Sequence, residues 1–379
     1  DLSQAPLFRV RIVNLAEERY LLVFDMHHII SDGTSMSILI SEFIDLYQGQ
    51  QLEELTVQYK DYADWQNKLL ESDKLKSQEK YWLNRFSDQL PVLELPTDYP
   101  RPAVQSFEGD RFSYSLGQEL TAELEKLATR TGTTLYMILL SAINILLSRY
   151  SGQEDIIVGS PIAGRNHPDL ENIIGMFVNT LAMRNQPSGD MSYLQFLNQV
   201  KEKTLQAFEN QDYQFEMLVE KLDLRRDMSR NPIFDVLFVM ENMERTPLEI
   251  DDLAITTYNL ENKTSKFDLS IYAEMEKELV LAFEYSTGLF KEETIARMSS
   301  HLNNILEGIV EDSDRRLNQI ELLNKEERVK LLSEFNNTDT PYPENKTLNQ
   351  IFEESVARTP DKVGLAYNDV ELTYRQLDQ

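Results

Sequence analysis

The chain of 379 residues contains no cysteine. Disulfides, thiolate nucleophiles and cysteine metal sites are therefore excluded, and the chain offers no redox chemistry of its own. No run of about 18 apolar residues occurs, so the sequence predicts no membrane-spanning helix. Basic residues are also scarce, because 37 Lys and Arg stand against 64 Asp and Glu, a formal net charge of −27. This charge argues against nucleic acid or an anionic membrane as partner, since phosphate groups are bound by clustered Lys and Arg.

The residues that are present suffice for sizeable hydrophobic cores, because 41% of them are hydrophobic. At roughly 100–200 residues per domain, the length predicts two or three folded units. The chain begins with "DLSQAPLFRV", without Met or a signal peptide, and "LTYRQLDQ" ends inside a predicted helix. We therefore expect a fragment of a longer polypeptide, in a cytoplasmic protein.

Hydrophobic periodicity divides the chain into alternating strands and helices. Strands are predicted over 7–15 and 19–26, and from Thr34 the apolar residues recur at helical spacing. Four prolines within 87–108 indicate a crossing between two lobes, and a polar, proline-containing stretch before residue 347 indicates a linker. Further helices are predicted near 58–69, 75–86, 117–131, 134–151, 192–209 and 291–311, and further strands near 110–116, 154–160, 176–184, 233–241, 267–274 and 278–285.

Histidine is rare, with four in the chain, and two of them are adjacent in "FDMHHIISDGTS", where a predicted strand ends. A histidine has an unperturbed pKa of about 6.5, so a strand-end histidine can serve as a general base. Asp32 can bond locally or pair with an arginine. Gly33 permits a positive φ or can direct its amide toward a developing oxyanion. The pattern suits acyl transfer, but the residues alone leave open that His27 packs and His28 caps a loop.

The remaining histidines and the two tryptophans have simpler interpretations. His167 is predicted to be an exposed loop residue, and His301 to lie on a helix surface. Neither has metal-ligand neighbours at useful spacing, so no metal site is predicted. Trp65 and Trp82 are predicted to be core anchors.

The segment "MHHIISDG" matches the HHxxxDG signature of condensation domains of nonribosomal peptide synthetases, members of the chloramphenicol-acetyltransferase-like superfamily. Five other segments resemble motifs of that family in the same order. After the predicted linker, "LTYRQL" resembles the first motif of an adenylation domain, with Gln376 where that pattern has Glu. The five segments are "YKDYADWQ" (59–66), "GSPIAGR" (159–165), "IGMFVNTLAMR" (174–184), "NQDYQFE" (210–216) and "RDMSRNPIFDVLF" (226–238).

The resemblance implies an α/β fold of two chloramphenicol-acetyltransferase-like lobes in a V shape, with mixed sheets flanked by helices. Residues 1–98 would form the later part of the first lobe, and 99–315 the second lobe. Residues 316–346 would be a linker, and 347–379 the start of an adenylation domain. The family has about 130 residues before the HHxxxDG motif, whereas 26 precede it here. We therefore expect the first lobe to be incomplete, and the arginine partner of Asp32 to lie in the missing part.

The implied reaction joins a donor acyl or peptidyl thioester to the amine of an acceptor aminoacyl thioester. Both are presented on phosphopantetheine arms by upstream and downstream carrier domains, and no cofactor is bound by the chain itself. His28 would act on the amine, Asp32 and Gly33 would shape the loop, and His27 would support it. Asn179 and Arg184 are candidates for contact with substrate in the tunnel between the lobes.

There are four alternatives. An epimerisation domain shares the motif but carries a Gly-His-Gly-type stretch that this sequence lacks. A non-catalytic recruitment domain of the same fold usually loses the second histidine, which is intact here. A free-standing acyltransferase is opposed by the adenylation-like C-terminal segment, and a heterocyclisation domain would have aspartates in place of the two histidines.

Overall fold

The protein is described by a computed structural model. The structure describes residues 2–224, 227–241, 249–250, 253–256, 258 and 263–379. The chain divides into two compact units, Asp1–Asn324 and Lys325–Gln379. Residues 316–324, the start of the predicted linker, belong to the first unit, and Leu317 and Ile320 within them are buried in its core.

The first unit begins with an antiparallel hairpin, β1 (Phe8–Ala16) and β2 (Arg19–Met26). Residues directly opposite each other share a face of the hairpin. One face is an apolar stripe that includes Val10 opposite Phe24, and Phe24 in turn contacts Phe43 of helix α1 (Gly33–Tyr47) edge to face. Helix α1 therefore packs on the hairpin a few residues after the strand that leads into it.

A six-stranded mixed sheet forms the centre of the first unit, in the order β3-β10-β9-β6-β4-β5. The pairs β9–β6 and β6–β4 are parallel, and the other three are antiparallel. The predicted mixed α/β class is confirmed. The strands are β3 (Gly109–Ser115), β4 (Ile156–Ile162), β5 (Asn179–Asn185), β6 (Val236–Glu241), β9 (Leu269–Met275) and β10 (Leu279–Ser286), with a short separate hairpin of β7 (Glu249–Ile250) and β8 (Leu253–Ala254).

Two long helices bury the sheet. Helix α5 (Leu135–Ser151) is apolar on nearly every side, and residues 137–147 are all buried, as expected for a helix inside a core. Helix α8 (Glu292–Glu311) packs against α5 with one wide apolar face. The other helices are α2 (Tyr59–Leu70), α3 (Asp73–Arg85), α4 (Gln118–Thr131), α6 (Tyr193–Glu209) and α7 (Phe215–Lys221).

The predicted helices and strands of the first unit are confirmed, with ends that differ by a few residues. Helix α7 was not predicted, because its seven residues are too short for a clear helical period. Arg226, the first residue of "RDMSRNPIFDVLF", lies outside the described residues.

The second unit is small and consists of short helices and one pair of strands. Its strands pair antiparallel, with Val363 opposite Thr373. Its elements are α9 (Lys325–Val329) running into a π-helical turn (Lys330–Glu334), α10 (Leu348–Arg358), β11 (Val363–Tyr367), β12 (Val370–Thr373) and α11 (Tyr374–Leu377).

Within the described ranges, no single helix has both the length and the apolar composition needed to cross a membrane. Helices α4 and α5 together have the required length and apolar composition, but the chain bends by 105° between them.

Candidate active site

The two adjacent histidines lie where strand β2 ends. The amide of His27 donates to the Leu7 carbonyl at 3.0 Å, which continues the ladder of the hairpin by one bond. A single 3₁₀ turn, His28–Ile30, follows at once. The Nδ1 of His27 accepts a hydrogen bond from the Ile29 amide at 3.0 Å and so caps this turn. This contact places His27 as a cap of the turn, and its supporting role in the site stays a prediction.

His28 is exposed, and one of its ring nitrogens is held by the backbone. Its Nδ1 lies 2.6 Å from the carbonyl oxygen of Ser31. A carbonyl oxygen can only accept, so Nδ1 carries the proton and donates it. In the neutral ring, Nε2 is then unprotonated and basic. The short turn thus selects the tautomer that lets His28 take a proton through Nε2.

Asp32 is buried and caps helix α1. Its Oδ1 accepts from the Ser35 amide at 2.8 Å and from the Ser35 hydroxyl at 2.8 Å, and its Oδ2 accepts from the Phe177 amide at 3.1 Å. The first bond is that of a helix N-cap, which satisfies an amide of the first turn. The bond to Phe177 joins the histidine loop to a segment 145 residues further along the chain.

The partner of Asp32 is Arg165, so the expectation that this partner lies in a missing N-terminal part is wrong. The guanidinium binds both carboxylate oxygens, with Nη1 to Oδ2 at 2.8 Å and Nη2 to Oδ1 at 3.0 Å. Both side chains are almost fully buried, with exposed fractions of 5% and 0%. The two parallel hydrogen bonds of such a pair define its geometry closely. Removing one partner is strongly destabilising, because the other charge then stays buried without compensation.

The surroundings of Arg165 fix its guanidinium. Its carbon lies 4.3 Å from the centre of the Phe177 ring, a cation–π contact, and Nη2 also donates to the Ile173 carbonyl at 3.0 Å. Gly164, just before it, has φ +67°, and a Cβ there would lie 2.0 Å from the Phe177 carbonyl oxygen. The "AGR" of the motif at 159–165 therefore needs both its glycine and its arginine.

The charge of Asp32 is stabilised by this environment. Burial alone raises the pKa of the carboxyl group, but the hydrogen bonds from Arg165, Ser35 and Phe177 outweigh it and hold the pKa below its usual value. A carboxylate that is ionised and fully bonded does not serve as a proton acceptor. Its position supports the predicted structural role of Asp32.

Gly33 is the first residue of helix α1. Its backbone is helical rather than that of a positive-φ turn, so its place in the site is to open the helix directly after the Asp32 cap. An N-terminal residue of a helix has an amide without an intrahelical acceptor.

The two candidates for substrate contact are both buried and bonded within the protein. The Asn179 amide nitrogen donates to the carbonyls of Gln211 and Tyr213, each at 2.9 Å, and its oxygen accepts from the Phe215 amide. The Arg184 guanidinium binds Asp155 and Asp88. Both carboxylates raise the pKa of Arg184 further, with Asp155 the larger influence. These bonds suit a role in joining segments, and contact with substrate stays a prediction.

Two predictions about isolated residues are wrong. His301 is buried, with its Nδ1 2.7 Å from the Tyr150 hydroxyl, because it lies on the face of α8 that packs against α5. Trp65 is 48% exposed and lines a cavity of about 570 Å³ with Tyr62 and Leu170, rather than anchoring the core. Trp82 is buried as predicted.

His167 is exposed, as predicted, and its Nδ1 accepts from the Asp169 amide at 3.2 Å. In the part of the chain that the structure describes, no group of three or more His, Asp or Glu side chains is placed to hold a metal ion. The residues bonded to Asp32 or packed beside it that sequence reasoning did not single out are Ser35, Arg165, Gly175 and Phe177, all of which lie in segments that it quoted.

A comparison with protein-family models matches the condensation domain over residues 1–332. The chain belongs to the condensation domain family. It is 50% identical over 381 residues to gramicidin S synthase 2 of Brevibacillus brevis and 49% identical over 380 residues to bacitracin synthase 3 of Bacillus licheniformis. Each match covers 100% of this chain but 9% and 6% of the relative, so the chain spans less than a tenth of the length of these curated relatives.

Solved structures give the same fold. A four-domain nonribosomal peptide synthetase bound to AMP and glycine superposes with a TM-score of 0.85 at 24% identity, over 100% of this chain and 30% of that one. The X-domain from teicoplanin biosynthesis has a TM-score of 0.78 at 25% identity, over 85% of this chain and 76% of that one. These similarities confirm the predicted fold family.

Proposed function

We propose that the chain forms amide bonds between a donor acyl or peptidyl thioester and the amine of an acceptor aminoacyl thioester, as part of a nonribosomal peptide synthetase. The observation that carries this proposal is the state of His28. Its Nδ1–H is held by the Ser31 carbonyl, which leaves a basic Nε2 on an exposed ring. Membership of the condensation domain family supports the same reaction.

The chemistry moves one proton from nitrogen to sulfur, in two transfers, and needs no external energy source. The amine nitrogen attacks the thioester carbonyl carbon, the new C–N bond forms, and a tetrahedral intermediate results. Nε2 of His28 takes a proton from the attacking nitrogen, and the C–S bond then breaks. The proton passes to the departing sulfur, so the donor arm leaves as a thiol and the product remains on the acceptor arm. An α-amine has a pKa of about 8 and is therefore already partly neutral at pH 7, so a strong base is not required. Much of the task of His28 is then to orient the amine.

The phosphopantetheine arms of an upstream and a downstream carrier domain would be substrates here, and the chain would bind no cofactor of its own. The second unit would begin an adenylation domain, which makes that domain a further neighbour. We also propose a cytoplasmic location, in keeping with the composition.

A second function has one observation in its favour. The X-domain, which superposes well on this chain, also occurs in a complex with OxyB from teicoplanin biosynthesis. A recruiting domain of this fold would bind a partner protein without chemistry. The intact second histidine of the motif, His28, favours catalysis instead, because a recruiting domain of this fold usually loses it. An epimerisation domain remains the third candidate.

The test uses the longer protein to which we assign the chain, with its carrier domains loaded with a donor acyl group and an acceptor amino acid. Intact mass spectrometry follows the dipeptide on the acceptor carrier for wild type and His28→Ala. We expect the variant to be slower by about 100-fold or more, the size of a general acid–base contribution. His167→Ala is the matched control, since it removes an exposed imidazole from the same unit.

If His28→Ala forms the dipeptide at the wild-type rate, His28 takes no part in the chemistry and only shapes the loop. If wild type forms no dipeptide from fully loaded carriers, the recruiting function replaces the proposed one. If wild type instead inverts the configuration of the aminoacyl group on its carrier, the domain is an epimerase.

A further inference from the structure

Ser35 is a fully buried polar residue in the first turn of helix α1. Its hydroxyl oxygen has four polar neighbours, drawn from three separate segments of the chain. They are Oδ1 of Asp32 at 2.8 Å, the carbonyl oxygen of Gly175 at 2.9 Å, the amide of Gly175 at 3.0 Å and Nη2 of Arg165 at 3.0 Å.

The chemistry of a hydroxyl group limits how these contacts are used. Serine offers one donor and two acceptor sites. The amide of Gly175 and the guanidinium of Arg165 fill both acceptor sites. The single proton then goes either to the Asp32 carboxylate or to the Gly175 carbonyl. The carboxylate is the stronger acceptor because it is charged. The hydroxyl of Ser35 therefore joins three segments, because it binds Asp32 in the histidine loop, the guanidinium of Arg165 and the backbone of Gly175.

Gly175 can approach this closely because it has no side chain. A Cβ at this position would lie 2.1 Å from the ring of Tyr59, whose hydroxyl donates to the Met176 carbonyl at 2.8 Å. The backbone on both sides of Gly175 is thus fixed from two directions. Ser35 therefore binds a backbone segment that is itself packed against Tyr59.

The path from Ser35 to His28 is short. Ser35 binds Asp32, and Asp32 directly follows Ser31, whose carbonyl holds Nδ1–H of His28. Ser31 and Asp32 are both buried, whereas the His28 ring is exposed. The ring therefore depends on one buried carbonyl for its tautomer and its direction, and that carbonyl depends on the bonds around Asp32.

We infer that Ser35 is a positioning residue for His28. It holds Asp32, and through it the Ser31 carbonyl, at the place that keeps the proton of His28 on Nδ1 and its Nε2 basic. The tautomer is a property of the ring itself, so this inference rests on the proposed function only for its effect on the rate.

The experiment is nitrogen NMR on the full chain labelled with ¹⁵N-histidine. Four histidines give few signals, and His28→Asn assigns the one that matters. Spectra are taken at about pH 8, where imidazoles are mostly neutral. Ser35→Ala removes the hydroxyl. Ser141→Ala is the matched control, because Ser141 is also fully buried and hydrogen-bonded, to Ile138 and Tyr193, in the core of the same unit.

We expect wild type and Ser141→Ala to show the Nδ1–H pattern for His28, and Ser35→Ala to lose it in favour of a mixture of tautomers. If Ser35→Ala does not fold, Ser35→Cys takes its place, since the thiol fills a similar space but bonds more weakly. Ser35→Thr keeps the hydroxyl and should restore the wild-type pattern. The inference is overturned if wild type shows Nε2–H at His28, or if a folded Ser35→Ala or Ser35→Cys keeps the wild-type spectrum.

A rate measurement in the loaded synthetase adds the functional consequence. Ser35→Ala should slow dipeptide formation by roughly 10- to 100-fold, because small misplacements of a reacting group cost rate on this scale. A change of tautomer without any change of rate would leave the positioning role intact and contradict the proposed function of His28. Unchanged tautomer and unchanged rate would contradict the positioning role alone.

Discussion

The β1–β2 hairpin and the six-stranded sheet are built from strands of similar pattern, but they are packed very differently. In the sheet, Leu269, Ile271 and Phe283 are completely buried. In the hairpin, Ile12 is 71% exposed and Tyr20 is 62% exposed, although both are apolar positions of regular strands. The alternation of apolar residues therefore predicts that a segment forms a strand. How much that strand stabilises the fold depends on which helices and strands cover its side chains.

This contrast bears on the site, because the histidine loop leaves the less buried of the two regions. The pair Asp32–Arg165 and the bonds from Ser35 to Gly175 connect the loop to the well-packed part of the unit. The side chain of His28, which we propose to be catalytic, thus lies at the end of an exposed hairpin and close to a buried anchor.

The largest effect is expected from removing the cation of this anchor. Arg165→Ala leaves the buried Asp32 carboxylate without its counter-charge, which should lower the free energy of unfolding of the first unit by about 3–5 kcal/mol. Urea unfolding followed by tryptophan fluorescence measures the change. The control is Lys68→Ala, which breaks an ion pair with Asp64 whose members are 75% and 66% exposed, and should cost about 1 kcal/mol or less. Equal losses in the two variants would show that the anchor is no more than a surface pair.

The packing contrast itself is tested by matched truncations. Leu281→Ala in the sheet should destabilise the unit by about 2–5 kcal/mol, because Leu281 is 1% exposed and its removal leaves a cavity. Ile12→Ala in the hairpin should change stability by about 0.5 kcal/mol or less, as for other exposed positions. Chemical denaturation of both variants gives the comparison. A large loss in Ile12→Ala would mean that the exposed face of the hairpin is covered in solution.

A smaller effect is expected from acid. The folded pKa of Asp32 lies below that of an unfolded aspartate, about 3.9, so its ionised form stabilises the fold above that pH. The contribution is lost as the pH falls through the folded pKa. The difference in free energy of unfolding between wild type and Asp32→Asn should therefore be greater near neutral pH than below about pH 4. A difference that does not vary with pH would contradict the assigned charge state.

Local patterns were enough to predict most elements and the histidine loop. Helix α1 was predicted from apolar spacing from Thr34 onward, whereas the role of Asp32 as its N-cap became visible only in the structure. The pairing of Asp32 with Arg165 was missed because it spans 133 residues and no local period reports it. His301 was misplaced for a different reason. It lies three residues after buried Met298 and so falls on the same buried face of α8. The prediction placed it on the surface because histidine is a polar residue.

The central claim is our proposal that His28 acts on the attacking amine from a position that depends on the buried pair of Asp32 and Arg165. Rates of dipeptide formation by His28→Ala, Arg165→Lys and the double variant test it most directly. Lysine keeps the charge but cannot bind both carboxylate oxygens in the same way. Residues that act as one unit show strongly non-additive losses. We predict that Arg165→Lys slows the wild-type reaction but leaves the rate of folded His28→Ala protein unchanged. Losses that multiply in the double variant would show that the two residues act independently, and would contradict this account of the site.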